Sequence, residues 1–399
     1  PNGDEYALMG VLDGIAVVAI PSQQVIGTIP GPTNSDPYYH RDMVVHGEYA
    51  YAVTECTGAG EGLQVIDLSN LPDSVSLVDT FMDSVVSSHN MDVDQGTGFL
   101  YVLNSNASGV AIIDASDPEH LKGVNLLNLP NVHDVHARND TLYVAEGWEP
   151  TFSIWDVSNK LNPQMLARVT IPNAGYVHNI WPTDDGRHVM TTEETEDKTV
   201  KVWDISDMSD VTLVGEWLGP NDLAHNVHIQ GDYAYLSHYA AGVIVLDISD
   251  IEQPVEVARY DTLPEHDNPG FRGNWGATVP SPNGYVYGGD FDGTLSVLQF
   301  QTPVANEPGA TSNENMLVSV YPNPSTGEVR VRYELGEAMH SRLAVYDLLG
   351  REIASLADGE QQAGTHILPF ETTDLPSGVY VIRLDAGGRT ETQRLSLVR

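Results

Sequence analysis

His89, His133, His178 and His225 recur at near-equal intervals, and each is followed by asparagine or aspartate: Asn90, Asp134, Asn179 and Asn226. Arg41-Asp42 stands one interval earlier and Asn274-Trp275 one interval later, with steps of 48, 44, 45, 47 and 49 residues between the first members. An in-phase series of this kind brings like side chains together only if the chain repeats a structural unit around an axis. A second set follows in the same rhythm: Glu55, Glu146, Glu193 (with Glu194 beside it), His238 and Asp290. Imidazole and carboxylate together suit a divalent transition metal such as zinc, copper, iron or manganese. The metal candidates are therefore His89, His133, His178, His225, Glu55, Glu146, Glu193, His238 and Asp290. Arg41, Asp42, Asn90, Asp134, Asn179, Asn226 and Asn274 would contact a small ligand. The Asn/Asp residues could also fix a histidine tautomer, and Arg41 would favour an anionic group. The same pattern also fits a structural lock copied with each repeat, the histidine bonding neighbouring strands. His136 and His228 should face the other way and pack, whereas His40, His46, His120, His188 and His266 fall in turn-like segments.

The elements that must position these residues are strands. An apolar run ending in Asp and a small turn recurs at residues 63–69 (LQVIDLS), 110–116 (VAIIDAS), 152–158 (FSIWDVS), 200–206 (VKVWDIS) and 243–249 (VIVLDIS). Residues 15–20 and 295–300 carry degenerate copies. Between markers come a turn, an outer strand, a His-led strand and a Tyr-rich strand, giving four short strands per period of about 45 residues. One such unit cannot bury both faces, so the copies must stack around an axis. The expectation is an all-β protein whose first part is a β-propeller of seven blades, or six if the two partial ends merge. The first strand of each blade lines a central channel, which places the histidine series at one mouth. The antiparallel second strand returns the carboxylate series to it.

The chain holds 18 basic and 56 acidic residues, a formal net charge of −38. Residues 1–315 carry a net −35 and residues 316–399 only −3, which sets a domain boundary near residue 310. A surface this acidic repels phosphate and excludes nucleic acid as a partner. It fits a salty habitat or a cationic partner. Cys56 is the single cysteine, so no internal disulfide forms. No apolar run approaches the ~20 residues that span a bilayer, and no signal peptide is visible at the start given. No nucleophile elbow, phosphate loop or His-Glu-x-x-His motif is present.

Several segments resemble known families. The apolar Asp-x-Ser strands, Arg41-Asp42-Met43, residues 176–186 (YVHNIWPTDDG) and residues 224–231 (AHNVHIQG) are similar to the LVIVD-repeat, choice-of-anchor B proteins. That resemblance covers roughly residues 4–300 and implies an exported bacterial propeller. Residues 320–327 (VYPNPSTG), 345–351 (VYDLLGR), 375–383 (LPSGVYVIR) and 395–399 (LSLVR) resemble the type IX secretion C-terminal sorting domain of Bacteroidetes. This implies an Ig-like β-sandwich over residues 316–399, joined by a linker at 301–315. It also implies type IX machinery as partner, and secretion or display on the outer-membrane surface of a Gram-negative bacterium.

Three functions compete on this reading: a surface-displayed binding propeller holding a metal or small ligand at its mouth, a metal-dependent oxidase or hydrolase using the same residues, and a purely structural surface protein. A divalent transition metal at that ring would serve the first two, the first of which could hold a small ligand instead, and no residue is singled out as catalytic.

Overall fold

The computed structural model describes residues 4–20, 22–33, 41–58, 60–103, 108–220, 223–264, 270–300, 317–321, 325, 327, 329–335, 338–347, 351–373, 375–387 and 389–397. The expected linker, His40 and His266 lie outside the described residues. Two compact units emerge, Pro1–Val255 with Glu265–Gln299, and Phe300–Arg399 with Glu256–Pro264.

The β-propeller comprises, among the described residues, a succession of seven antiparallel sheets. The first (Glu5–Val11, Gly14–Ile20, Gln24–Pro30) and the seventh (Asn274–Ala277, Tyr285–Asp290, Leu295–Gln299) have three strands each; the five between have four. In each of those five the strands follow one another in sequence order across the sheet. The marker strands, such as Leu63–Asp67 and Val200–Asp204, are buried along nearly their whole length. They lie inside one sheet and between two others, so both faces must be apolar. Their terminal aspartates close the following turn: Asp67, Asp114, Asp156, Asp204 and Asp247 each accept the backbone N–H of the serine two residues on, at 2.8–2.9 Å. A bulge recurs where the marker strand meets its outer neighbour, at Val17/Val18, Val65/Ile66, Ile112/Ile113, Ile154/Trp155 and Val202/Trp203. Such bulges increase strand twist, as radial sheets require.

Neighbouring sheets share cores. Tyr51, Val53, Leu63 and Val65 of the second sheet pack with Leu100, Val102, Ala111 and Ile113 of the third. Met190, Val200 and Val202 of the fifth pack with Leu236, Ile244 and Leu246 of the sixth. Ala7, Val18 and Ile20 of the first sheet meet Tyr285, Tyr287, Leu295 and Val297 of the seventh, which closes the ring. Innermost strands are Arg41–His46, Met91–Val93, Asp134–Arg138, Val177–Pro182, Asn226–Gln230 and Asn274–Ala277. The first sheet has no such strand among the described residues.

The second unit holds two antiparallel sheets, one of three strands (Leu317–Tyr321, Val329–Leu335, Gly364–Phe370) and one of four (Met339–Asp347, Glu352–Gln361, Gly378–Ala386, Arg389–Leu397). Val329, Val331 and Tyr333 of one sheet and Leu343, Val345, Ile382, Leu384 and Leu395 of the other form a single core. Among the described residues no helix is long and apolar enough to cross a membrane.

Candidate metal and ligand site at the channel mouth

The four in-phase histidines come together. Their rings follow one another with centroid separations of 4.5 Å (His89–His133), 4.0 Å (His133–His178) and 4.3 Å (His178–His225), and Trp275 continues the series 4.6 Å from His225. These residues stand within two positions of the first residue of each inner strand. His178 and Trp275 occupy bulges, between Val177 and Asn179 and between Asn274 and Gly276, which frees them from the strict alternation of the pleat. His133 Nδ1 donates to the His178 carbonyl at 2.9 Å, and His225 Nδ1 donates to the Trp275 carbonyl at 2.5 Å. A carbonyl only accepts, so in these two rings Nδ1 carries the proton and the lone pair sits on Nε2, the tautomer that ligates a metal. Lock and ligand geometry therefore coexist in the same imidazoles.

Glu55, Glu194 and Asp134 bring carboxylates near the ring. Glu55 Oε2 lies 3.2 Å from His89 Nδ1. Glu194 lies between two rings, Oε2 3.9 Å from His178 Nε2 and Oε1 3.9 Å from His225 Nε2, and its Oε1 accepts the Tyr239 hydroxyl. The ligand atoms of His178, Glu194 and His225 all fall within 4.8 Å of one another, as do those of His133, Asp134 and His178.

The other expected ligands are used differently. Glu193 is buried with its carboxylate bound to Lys201 and to the Gly175 N–H at 2.5 Å, so its neighbour Glu194 takes the place at the mouth. Consecutive strand residues point to opposite faces, and only one of two adjacent glutamates can face the mouth. Glu146 is fully buried and accepts from Thr151 and from Ser153 (2.7 Å) while pairing with Arg168 at 2.8 Å. The His238 ring lies 6.0 Å from Trp217, away from the histidine series, and Asp290 accepts from Asn274 Nδ2 at 3.2 Å. Arg41 donates through Nε and Nη2 to three backbone carbonyls, Val11 (2.9 Å), Leu12 (3.2 Å) and Pro32 (2.8 Å), which tie the first sheet to the second.

The Asn/Asp companions stitch the inner strands rather than touch the imidazoles. Asp42 accepts the Met91 N–H (2.8 Å), Asn90 the Val135 N–H (3.1 Å) and Asn179 the Val227 N–H (3.1 Å). Asn179 Nδ2 also donates to Asp134 at 2.9 Å, and Asn274 Nδ2 to the Gly276 carbonyl at 3.2 Å. Asn226 is half-buried beside Ser237, whose Oγ accepts its N–H at 3.1 Å. Two residues further along the same strands, His136 stacks on Trp181 at 3.8 Å with Nδ1 2.8 Å from Asp92, and His228 meets Trp181 at 4.5 Å. Of the turn histidines, His46 ends one strand and His188 begins another.

Burial and neighbours shift these groups. Burial, with the surrounding imidazoles, holds His178 well below its usual value. Burial also opposes protonation of His89, but Glu55, Asp134 and Asp42 outweigh it and raise its pKa. Burial raises Glu194, against the lowering hydrogen bond from Tyr239. Asp42 is pushed up to about 6 and Asp134 to about 8, burial being the largest cause in both.

A cleft of about 400 Å³ opens beside the ring, lined by Glu55, His89, Leu103, Ser108, Gly109, Asn131, Val132, His133 and Tyr176. Aromatic side chains flank the site: Trp148, 77% exposed, stands edge-on to Tyr176 at 4.8 Å, and Phe271 and Phe291 surround Tyr239. Sequence reasoning missed Tyr239 and this rim, because they follow no repeat marker.

Residues 319–398 match the secretion system C-terminal sorting domain, and residues 39–83, 131–171 and 223–262 match the LVIVD repeat. No curated protein sequence matches the chain. Among solved structures, the periplasmic gluconolactonase of Pseudomonas aeruginosa is similar with a TM-score of 0.58 at 11% identity, over 91% of this chain and 98% of that one. The WD40 repeats of RRP9 give 0.56 at 13% identity, over 71% and 83%. The type IX secretion component PorZ of Porphyromonas gingivalis gives 0.50 at 12% identity, over 100% and 58%. At these identities the structural likeness shows the propeller fold alone. The chain thus carries LVIVD repeats on a β-propeller and a type IX sorting domain that directs it to export and cell-surface attachment.

Proposed function

We propose that this exported LVIVD-repeat propeller binds one divalent transition metal ion at its channel mouth, through His178 Nε2, His225 Nε2 and Glu194, and offers the ion to a small ligand there. In this reading residues 1–300 form the propeller, 301–315 a linker and 316–399 the sorting domain. The observation that carries it is the convergence of three ligand atoms from two sheets within 4.8 Å. Metal–ligand bonds of about 2.0–2.2 Å require ligand atoms roughly 3.3 Å apart, so closure takes a movement of about 1 Å. The Trp275 carbonyl already fixes the ligating tautomer of His225. Three protein ligands leave a coordination position for an exogenous group.

Burial, with the surrounding imidazoles, keeps His178 neutral at physiological pH, the form that coordinates. The test is elemental analysis of untagged protein purified without chelator. About one metal per chain, lost in a His178→Ala/His225→Ala variant that remains folded, is the expected result. Metal-free wild-type protein that also takes up no zinc, cobalt, copper, iron or manganese on dialysis would leave the ring as an inter-sheet lock, the role to which the His133–His178 carbonyl bond also points.

A further inference from the structure

Tyr239 follows the strand Tyr233–Ser237 of the sixth sheet and is held in an unusual way. Its φ is +44°, a left-handed conformation that a bulky residue adopts only under strain. Both of its backbone groups are bound to one residue of the seventh sheet: its N–H donates to the Asn274 carbonyl at 3.1 Å and its carbonyl accepts from the Asn274 N–H at 3.0 Å. A tight loop fixes it from the other side, with Gly242 N donating to the Tyr239 carbonyl at 2.9 Å. The ring is 1% exposed, packed 4.9 Å from His225, 5.3 Å from Phe271 and 6.1 Å from Phe291. From there its hydroxyl donates to Glu194 of the fifth sheet. One residue therefore joins three sheets, and its hydroxyl donates a single hydrogen bond to one carboxylate oxygen.

Glu194 needs such a partner. It lies one residue beyond the end of its strand, and its backbone N–H is bound to the Tyr176 carbonyl at 2.8 Å, which fixes its main chain but not the rotation of its long side chain. Its two oxygens face two imidazole nitrogens, each 3.9 Å away. We infer that Tyr239 is the positioning residue of this site: its backbone is strained into place so that its hydroxyl holds the Glu194 carboxylate between His178 and His225. The inference rests on the metal reading above, and Tyr239 touches the ion only through Glu194. The aromatic rings around it keep water from competing for that hydrogen bond.

The test is a double-mutant cycle on the full chain with Tyr239→Phe, Glu194→Gln and the double variant. Each is titrated with Co²⁺ by calorimetry and visible absorption, and melted in chelator. Loss of an outer partner of a ligand weakens metal binding about 10–100-fold. Tyr239→Phe should therefore weaken Co²⁺ binding by that factor and alter the ligand-field bands, with little change in the melting temperature of the metal-free protein. In the Glu194→Gln background the same substitution should cost nothing further. Equal loss with or without Glu194, unchanged affinity and spectrum, or a Tyr239→Phe protein that melts far below wild type in both backgrounds would each overturn the positioning role. Wild-type protein that binds no Co²⁺ would instead remove the metal reading itself.

Discussion

Asp134→Asn should raise the stability of the propeller at alkaline pH and leave it nearly unchanged in acid. The carboxyl group is 6% exposed, accepts one hydrogen bond from Asn179 (2.9 Å), and has its pKa pushed up to about 8 by burial, with Asp42 adding to the rise. The folded protein therefore holds this proton more tightly than the unfolded chain does, where an aspartic acid titrates near 3.9. The stability it contributes is fully present below about pH 4 and is lost as the pH climbs through about 8. At 1.36 kcal/mol per pKa unit the displacement sets a ceiling of roughly 6 kcal/mol; relaxation around a newly charged group should reduce the measured effect to about 2–3 kcal/mol. Asparagine keeps the acceptor oxygen for Asn179 and carries no charge, and the chain already uses it in the same place at Asn90, Asn179 and Asn226. All six tryptophans lie before residue 276, so tryptophan fluorescence follows the propeller alone. Urea titrations in chelator at pH 4.5 and pH 8.5 should show a gain for the variant only at the higher pH. A variant less stable than wild type at pH 8.5, or offset equally at both pH values, would refute the buried-acid argument.

Three further outcomes follow from particular contacts. Lys201→Met removes the cation from the buried Glu193 carboxylate and should destabilise the propeller by about 3–5 kcal/mol in urea while leaving metal content at the wild-type level. Gly109→Ala, at φ +149° with the Leu127 carbonyl oxygen 2.2 Å from where its Cβ would sit, should cost several kcal/mol, on the order of 3, by the same assay. Deleting residues 316–399 should strand the protein in the periplasm, read by cell fractionation; undiminished surface display would contradict the sorting role.

The propeller was legible because its marker strands are apolar on both faces and end in an aspartate that closes a turn, a pattern visible without coordinates. The histidine series was legible for the same reason, since equal spacing in sequence becomes adjacency around an axis. Side-chain direction was not. Glu193 and Glu194 are neighbours on one strand end, and the choice between them depends on a one-residue register that composition does not encode. Nothing in the spacing shows that Arg41 bonds the carbonyls of Val11, Leu12 and Pro32, up to 30 residues away. The partners of Asp42, Asn90 and Asn179 are backbone N–H groups 45–49 residues away in the neighbouring sheet, which local sequence does not show. Tyr239 carries no motif at all, and only its left-handed backbone and its bond to Glu194 disclose it.

X-ray absorption at the metal edge of the loaded full-length protein tests the central claim most directly. Two imidazole nitrogens and carboxylate oxygen at about 2.0–2.2 Å, with one imidazole signal lost in His225→Ala, is the predicted first shell. A shell of water oxygens only, or one unchanged by His225→Ala, would contradict it.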